Sequence, residues 1–375
     1  MGQPSHSHAL DEFERKLEKR YEITNLQNRG YQTFCGITVH RDRENGNIWL
    51  SQKDYIEVIY HKYTAPIKSA WNKAPTTPLP SEELVPSPDV KNNENAHRYS
   101  QIVGSIGYAA GATRPDVAKA HSKLAEFLTN PGMKHLSAAY QCLAYLYYTR
   151  DLALHYSQDF STNHLYMKDA VENDFFGATD ASYADHRATR KSSQGYIFFL
   201  FGGPIDWKAT LQRCVVKSTT EAELISLSIG STEYYWWMRV LEKLHLEFEE
   251  QPIMYCDNKQ TIRLLTADTP QLKTTLRHVD IHHHWLREQA LRGTVTPAYI
   301  DTNSQPADGL TKLLSKQKHS EWMKLLYLGP IPKHITGYED QVTSTLDMPP
   351  PLTMPNSHLS RPEDQVTSTS ALASH

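Results

Sequence analysis

The alternation of apolar and polar positions changes character several times along this chain. The segment 10–64 opens with DEFERKLEKRY, whose apolar residues recur at helical spacing, and continues into YQTFCGITVHR and NIWLSQ, which alternate with period two. A three-to-four period lays apolar side chains along one helix face, whereas alternation lays them along one strand face. Asn45-Gly46 stands between the two alternating runs. Both residue types tolerate positive φ, so the pair predicts a hairpin. From about 65 to 95, Pro66, Pro75, Pro78, Pro80, Pro86 and Pro88 lie among Ser, Thr and charged residues. That composition reads as an extended linker between two packing units. Helical spacing returns over 96–156, in RYSQIVGSIGYAAGATRPDVAKAHSKLAEFL and HLSAAYQCLAYLYYTR, with a break at Asn130-Pro131-Gly132.

The pattern between 172 and about 316 is different. DFFGATDAS, SQGYIFFLFGG and PIDWKATLQRCVV are strand-like, and Gly202-Gly203 predicts a hairpin between the last two. A helix is expected from Ser218, then the strand PIMYCD, helices at NKQTIRLL and DIHHHWLREQALRG, the strand TVTPAYID and a closing helix. Strands followed by alternating helices and strands predict a mixed five-stranded sheet with helices on its faces, an α+β arrangement. After 331 the chain is rich in Pro, Ser and Thr and repeats EDQVTST at 339–345 and 363–369. Two copies of a polar heptamer cannot make a core, and the tail is expected to be disordered.

Four acids occupy positions in this framework where a metal ligand would serve. They are Asp180 in GATDAS, Glu223 in STTEAEL, Asp257 in MYCDNK and Asp308 in SQPADGLTK. Asp180 and Asp257 fall at or near strand ends, Glu223 in the first turns of a helix, and Asp308 after the final strand. Each also has an ordinary structural account. An acid at a strand end can begin a turn, and Asp257-Asn258 could cap the next helix. Glu223 is distinguished by its helix face, because steps of three and four residues lead to Leu227, Gly230, Tyr234, Trp237 and Leu241. An acid on that inward face is costly unless it is paired or binds a metal. Glu221 instead completes a capping box with Ser218. As a set, the four match the carboxylates of a two-metal nuclease. Phosphodiester hydrolysis needs a nucleophilic hydroxide and relief for the leaving oxygen, which two hard cations about 3.5–4 Å apart supply. Mg²⁺ takes oxygen ligands, so carboxylates suit it.

Composition adds limits. The 375 residues, 39% of them apolar, suffice for two or three domains with real cores. A formal charge of −3 gives no global attraction for a polyanion, so any such site must be local. Residues 181–220 carry Arg187, Arg190, Lys191, Lys208, Arg213 and Lys217 against only Asp185 and Asp206. That patch could hold phosphates without reading sequence. Asn258 and His278 are further candidates for nucleic-acid contact. His278, His282, His283 and His284 share one predicted helix, but adjacent positions point in different directions and make a poor single metal site. Asp280 is expected either at the acidic site or in a salt bridge to Arg277 or Arg287. Cys35, Cys142, Cys214 and Cys256 are scattered, without disulfide or zinc spacing. No apolar run approaches a membrane span, and MGQPSHSHAL is too polar for a signal peptide, so an intracellular, cytoplasmic or nuclear protein is expected.

The runs FCGITV, IWLSQKDYIEVI, YSQIVGSIGYAAGATRPDVAKA, GATDASYADHRATRKSSQGYIFFLFGGPIDWKA, VKSTTEAELISL, MYCDNKQTIRLL, RHVDIHHHWLRE and QPADGLTK carry a resemblance. In this order they resemble the C-terminal part of a Ty1/copia-type retrotransposon polyprotein, over about residues 12–325. The resemblance implies the end of a reverse-transcriptase palm with its hairpin (1–64), a linker (65–95) and a helical thumb or connection region (96–160). A ribonuclease H-like domain (165–330) would follow, then the tail (331–375). It also implies cleavage of the RNA strand of RNA–DNA hybrids with two Mg²⁺ ions, or Mn²⁺ in their place, and no small-molecule cofactor. Asp180, Glu223, Asp257 and Asp308 match the ribonuclease H acids one by one, with Glu223 and not Glu221 as the glutamate. The hairpin from Phe34 to Leu50 resembles the element that grips the primer strand, with Cys35 where a larger apolar residue is usual. Such polymerases carry a Tyr-x-Asp-Asp turn, which is absent here, so a truncated element that does not polymerise DNA is expected. The alternative is a catalytically inactive remnant that at most binds nucleic acid.

Overall fold

The computed structural model describes residues 12–13, 15–17, 19–20, 31–64, 74–87, 95–157, 175–246, 248, 251–267 and 276–336. The expected tail lies, from 337 onward, outside the described residues. Strands β1 (Tyr31–Phe34), β2 (Ile37–Asp42) and β3 (Asn47–Ser51) form an antiparallel meander. The predicted hairpin joins β2 and β3, but only Gly46 of the Asn-Gly pair takes a positive φ. Asn45 folds back instead, its amide and Nδ2 donating to the Asp42 carboxylate at 3.1 and 2.7 Å.

Four helices follow: α1 (Lys53–Thr64), α2 (Asn95–Ala112), α3 (Ala118–Ala125) and α4 (Met133–Tyr148). Their inward faces meet in one core of Ile56, Tyr99, Ile102, Ile106 and Leu143. The Pro-rich stretch does more than span a gap. Leu79 and Leu84 are buried in that same core, and Gln141 Nε2 on α4 donates to the Thr77 carbonyl at 3.2 Å. Proline restricts the unfolded chain, and burial of the two leucines favours the docked strap.

The sequence pattern extended the helical region to 156, whereas α4 ends at Tyr148 and Leu152–Ser157 forms β4 against β3. LALHYS satisfies either period over so short a run, and the free edge of β3 decides the outcome.

The remaining elements build the second layer. They are β5 (Phe175–Ser182), β6 (Ser193–Leu200), β7 (Gly203–Leu211), α5 (Thr219–Lys243), β8 (Ile253–Cys256), α6 (Lys259–Thr266), α7 (Arg277–Leu291) and β9 (Thr296–Tyr299). The chain continues through α8 (Asp308–Thr311), α9 (Lys316–Leu325), β10 (Leu328–Pro330) and α10 (Lys333–Thr336). The mixed five-stranded sheet expected from the sequence is present, in the order β7-β6-β5-β8-β9. β7, β6 and β5 are antiparallel, and β8 and β9 run parallel to β5. The β6–β7 turn uses Phe201 and Gly202, both at positive φ, rather than Gly202 and Gly203. Two consecutive positive-φ residues match the twist of a tight two-residue hairpin.

One link was not foreseen. β10, near the end of the described chain, pairs with β4 and completes an antiparallel sheet in the order β1-β2-β3-β4-β10. Leu154 of β4 shares a buried cluster with Phe176, Ile197 and Phe199 of the mixed sheet and with Leu326 and Leu328. The front and rear halves therefore share a core.

Candidate metal centre

β5 is the central strand and is buried on both faces, so the acid near its end is buried too. Asp180 is 1% exposed. Glu223 enters from α5, whose N-terminus is capped by Ser218 Oγ accepting from the Glu221 amide at 3.2 Å. The Glu221 carboxylate reaches back one residue further than expected and accepts from the Lys217 amide at 2.7 Å. That leaves Glu223 free for the interior, 5% exposed, its Oε1 accepting from the Ala181 amide at 3.1 Å. Asp257 follows β8, which pairs in parallel with β5, and its Oδ2 accepts from Thr302 Oγ1 at 2.9 Å. Glu223, Cys256 and Asp257 each place one potential ligand atom within 4.8 Å of the other two. Asp308 opens α8, and one turn later Lys312 Nζ donates to Asp308 Oδ1 while lying 3.4 Å from Asp180 Oδ2. Thr311 Oγ1 also donates to Asp180 Oδ2.

The electrostatics follow from this crowding. Burial, and behind it the charges of Asp257 and Asp308, pushes the Asp180 carboxyl up to about 6 despite the pull of Lys312. Burial, then Asp180 and Asp257, pushes Glu223 well above the usual carboxylate range. Burial alone would lower Lys312, yet Asp180 and Asp308 outweigh it and hold the ammonium above its ordinary value. The Cys256 thiol is held well up by burial and then by Glu223, so it stays protonated beside the acids. A protonated thiol is a poor ligand for a soft metal.

These residues fit hard divalent cations. Four carboxylates face a single ammonium, and Asp180 Oδ1 is buried with no hydrogen-bond partner among the described residues. A buried carboxylate oxygen without a donor is costly unless a cation meets it. Sequence reasoning did not assign roles to Lys312, Thr311 or Thr302. Lys312 was within reach, since an i,i+4 acid–lysine pair is a local pattern. Thr302 was not, because it reaches Asp257 only through the fold.

The candidate nucleic-acid contacts separate. Arg187 is turned away to Glu83 of the strap, at 2.9 Å. Its neighbours Asp185 and His186 meet Lys119 and Glu126 at 3.6 and 3.2 Å, so this loop docks on the helical region. Arg190 and Lys191 sit in the tight turn that follows, with Arg190 at φ 57°. Lys208 and Arg213 border a cavity against α5. Lys217 stands beside the α5 N-terminus. Asn258 caps α6, its Oδ1 accepting from the Thr261 amide at 2.9 Å. His278 is half-buried, and its Nε2 has no partner among the described residues. His282 turns to Ser228, but, contrary to the expectation of a poor single metal site, Asp280, His283 and His284 each place one potential ligand atom within 4.8 Å of the other two. His283 Nε2 lies 3.3 Å from the Leu264 carbonyl, and exposed His284 meets Asp280 at 3.4 Å, so Asp280 pairs with a histidine rather than with arginine.

No family model matches the chain. It is 36% identical over 308 residues to the Retrovirus-related Pol polyprotein from transposon TNT 1-94 of Nicotiana tabacum, covering 80% of this chain and 22% of that one. It is 31% identical over 302 residues to the Pol polyprotein from transposon RE1 of Arabidopsis thaliana, covering 80% and 19%. The chain belongs to the Pol polyproteins of Ty1/copia-type retrotransposons. A putative Ty5-1 transposon protein of Saccharomyces cerevisiae matches this Pol chain at 28% identity, over 58% of it and 65% of the yeast protein. The chain spans about a fifth of the length of these two plant polyproteins. Among solved structures it matches the foamy viral protease-reverse transcriptase in complex with RNA/DNA hybrid at TM-score 0.42 and 13% identity, covering 80% of this chain and 34% of that one. No helix among the described residues is long and apolar enough to cross a membrane.

Proposed function

We propose that this Pol chain is a ribonuclease H-type endonuclease that hydrolyses the RNA strand of RNA–DNA hybrids by a two-metal mechanism. The observation that carries the proposal is the convergence of three carboxylates, Glu223, Asp257 and Asp308, on the buried Asp180, whose Oδ1 has no partner among the described residues. Asp180, Glu223, Asp257 and Asp308 would hold two Mg²⁺ ions, or Mn²⁺ in their place. Two such ions supply a hydroxide at neutral pH and neutralise the leaving oxygen.

The protein's own groups do the rest. The Ala181 amide and Thr302 hydroxyl fix the carboxylates of Glu223 and Asp257. Lys312 draws the Asp180 carboxyl toward its charged form, against burial, and Asp308 would steer the attacking water. Arg190, Lys191 and Lys217 would bind phosphates, which gives affinity without sequence preference. Hybrid would be chosen through helix shape and 2′-hydroxyl contacts. No small-molecule cofactor and no membrane enter this scheme.

The test is cleavage of a labelled RNA–DNA hybrid by the full chain with Mg²⁺, beside single-stranded RNA, duplex RNA and Asp257→Asn. Asp257 is half-buried, and its amide variant keeps the side-chain volume while removing the charge. Cutting of hybrid RNA alone, lost in the variant and in EDTA, is expected. A folded chain that binds hybrid and never cuts it would leave the inactive remnant as the answer.

A further inference from the structure

A second concavity lies one strand from the carboxylates, where β6 and β7 meet α5. It has a volume of about 490 Å³, within the range of about 300–1,000 Å³ typical of small-ligand sites. None of the four acids lines it. Its border carries Lys208 and Arg213, both exposed and neither with a carboxylate partner among the described residues. Ile225 and Ile229 of α5 supply an apolar wall, and His282 of α7 also lines the cavity. His282 is fixed there by Ser228, its Nδ1 lying 2.7 Å from Ser228 Oγ.

The lining also contains an unmet polar group. Gln194 is 8% exposed, and its Nε2 donates to Thr210 Oγ1 at 3.4 Å. Its Oε1 is buried with no partner among the described residues. A buried acceptor left without a donor costs free energy, and native structures rarely leave one so. Two unpaired cations, an apolar wall and a buried amide acceptor together describe a ligand with an anionic end, a flat apolar body and an N–H edge.

We propose that this cavity binds a nucleoside monophosphate unit. Lys208 and Arg213 hold the phosphate, Ile225 and Ile229 cover one face of the base, and Gln194 Oε1 accepts from a base-edge N–H. The unit has two sources, a free mononucleotide or an unpaired nucleotide of a strand, and the same chemistry recognises both. The proposal is independent of the hydrolytic reading, because none of its residues is one of the acids.

The experiment is calorimetric titration of the full chain in EDTA with each ribonucleoside monophosphate, adenosine, inorganic phosphate and a tetranucleotide. At least one monophosphate is expected to bind, with adenosine and phosphate at least about tenfold weaker. Lys208→Ala and Arg213→Ala should each weaken it about tenfold, the usual cost of a charge-assisted hydrogen bond. Gln194→Leu, or Gln194→Glu if the first does not fold, should narrow the differences among bases. Tighter binding of the tetranucleotide assigns the ligand to a strand, and equal or weaker binding assigns it to the free nucleotide. The proposal is overturned if no monophosphate binds at millimolar concentration, if phosphate alone binds as well, or if both alanine variants bind normally. Since the titration contains no divalent metal, nucleotide binding by a chain that never cuts hybrid would sink the hydrolytic reading alone.

Discussion

Lys312 Nζ lies 3.4 Å from Asp180 Oδ2 and donates to Asp308 Oδ1, so one ammonium ties the central strand to the last acidic position. It opposes the burial and neighbouring charges that push Asp180 and Glu223 upward. Replacing it by methionine should lower the melting temperature of the metal-free protein, by an amount equivalent to about 1 kcal/mol for a partly exposed pair. The shift on adding Mg²⁺ should then be larger than in wild type. Equal Mg²⁺ shifts in thermal denaturation of the two proteins would count against this role.

Asp180 makes a prediction of opposite sign to most core substitutions. Its folded-state value of about 6 lies above the ordinary value of 3.8. A raised value means that the folded state holds the proton more tightly, so this stabilisation is complete below about pH 4 and is lost as pH rises through 6. In EDTA at pH 7.5, Asp180→Asn should therefore be more stable than wild type, by up to about 3 kcal/mol for a shift of about two pH units. The advantage should shrink toward pH 5. Denaturant titrations across that range provide the check, and a variant less stable than wild type at pH 7.5 would refute the argument.

The junction between the halves is sensitive in the other direction. Arg114 forms a bidentate pair with Asp116 at 2.8 and 2.7 Å, and Tyr145 donates to Asp116 Oδ2 at 2.8 Å while meeting His319 Nε2 at 2.9 Å. Burial holds His319 below its ordinary value, against the pull of Asp116. Its contribution is complete above pH 6.5 and is lost as pH falls below that value. His319→Gln should thus differ most from wild type at pH 7 and progressively less toward pH 5. Tyr145→Phe should cost about 1–3 kcal/mol by leaving a buried carboxylate short of a donor. Unfolding curves at several pH values would reveal either effect.

Gly230 lies where α5 crosses β5. A Cβ at this position would come within 2.5 Å of Thr179 Cγ2, one residue before Asp180. Gly230→Ala should destabilise the protein by about 1–3 kcal/mol through overpacking. It should also reduce hybrid cleavage more than its stability loss predicts, since α5 carries Glu223. Activity measured well below the melting temperature separates the two effects.

The inward direction of Glu223 was legible because helical period is a local property, and Leu227, Gly230 and Tyr234 declare the buried face by themselves. The same holds for the Ser218 cap and for the order of strands and helices through 172–316. The role of Arg187 was not legible. It lies in a run richer in basic than acidic residues, and only the docking of its loop on α3 and on the strap brings Glu83 within reach. Nor did Asp280 reveal that His284, one turn along its own helix, would take it in place of an arginine. The β4–β10 pairing joins strands so far apart in sequence that no local pattern could register it.

By itself, the sequence determined which residue types were available and on which face of each element they would lie, because apolar period and capping chemistry act over a few residues. It therefore determined the mixed sheet and named the four acids. Tertiary structure alone decided the environment of those acids: burial of Asp180 from both faces of β5, the reach of Lys312 across to it, and an Oδ1 without a partner among the described residues. Those features depend on how much water is removed and which charges approach through space, and desolvation and Coulomb energy are set by distance rather than by order along the chain.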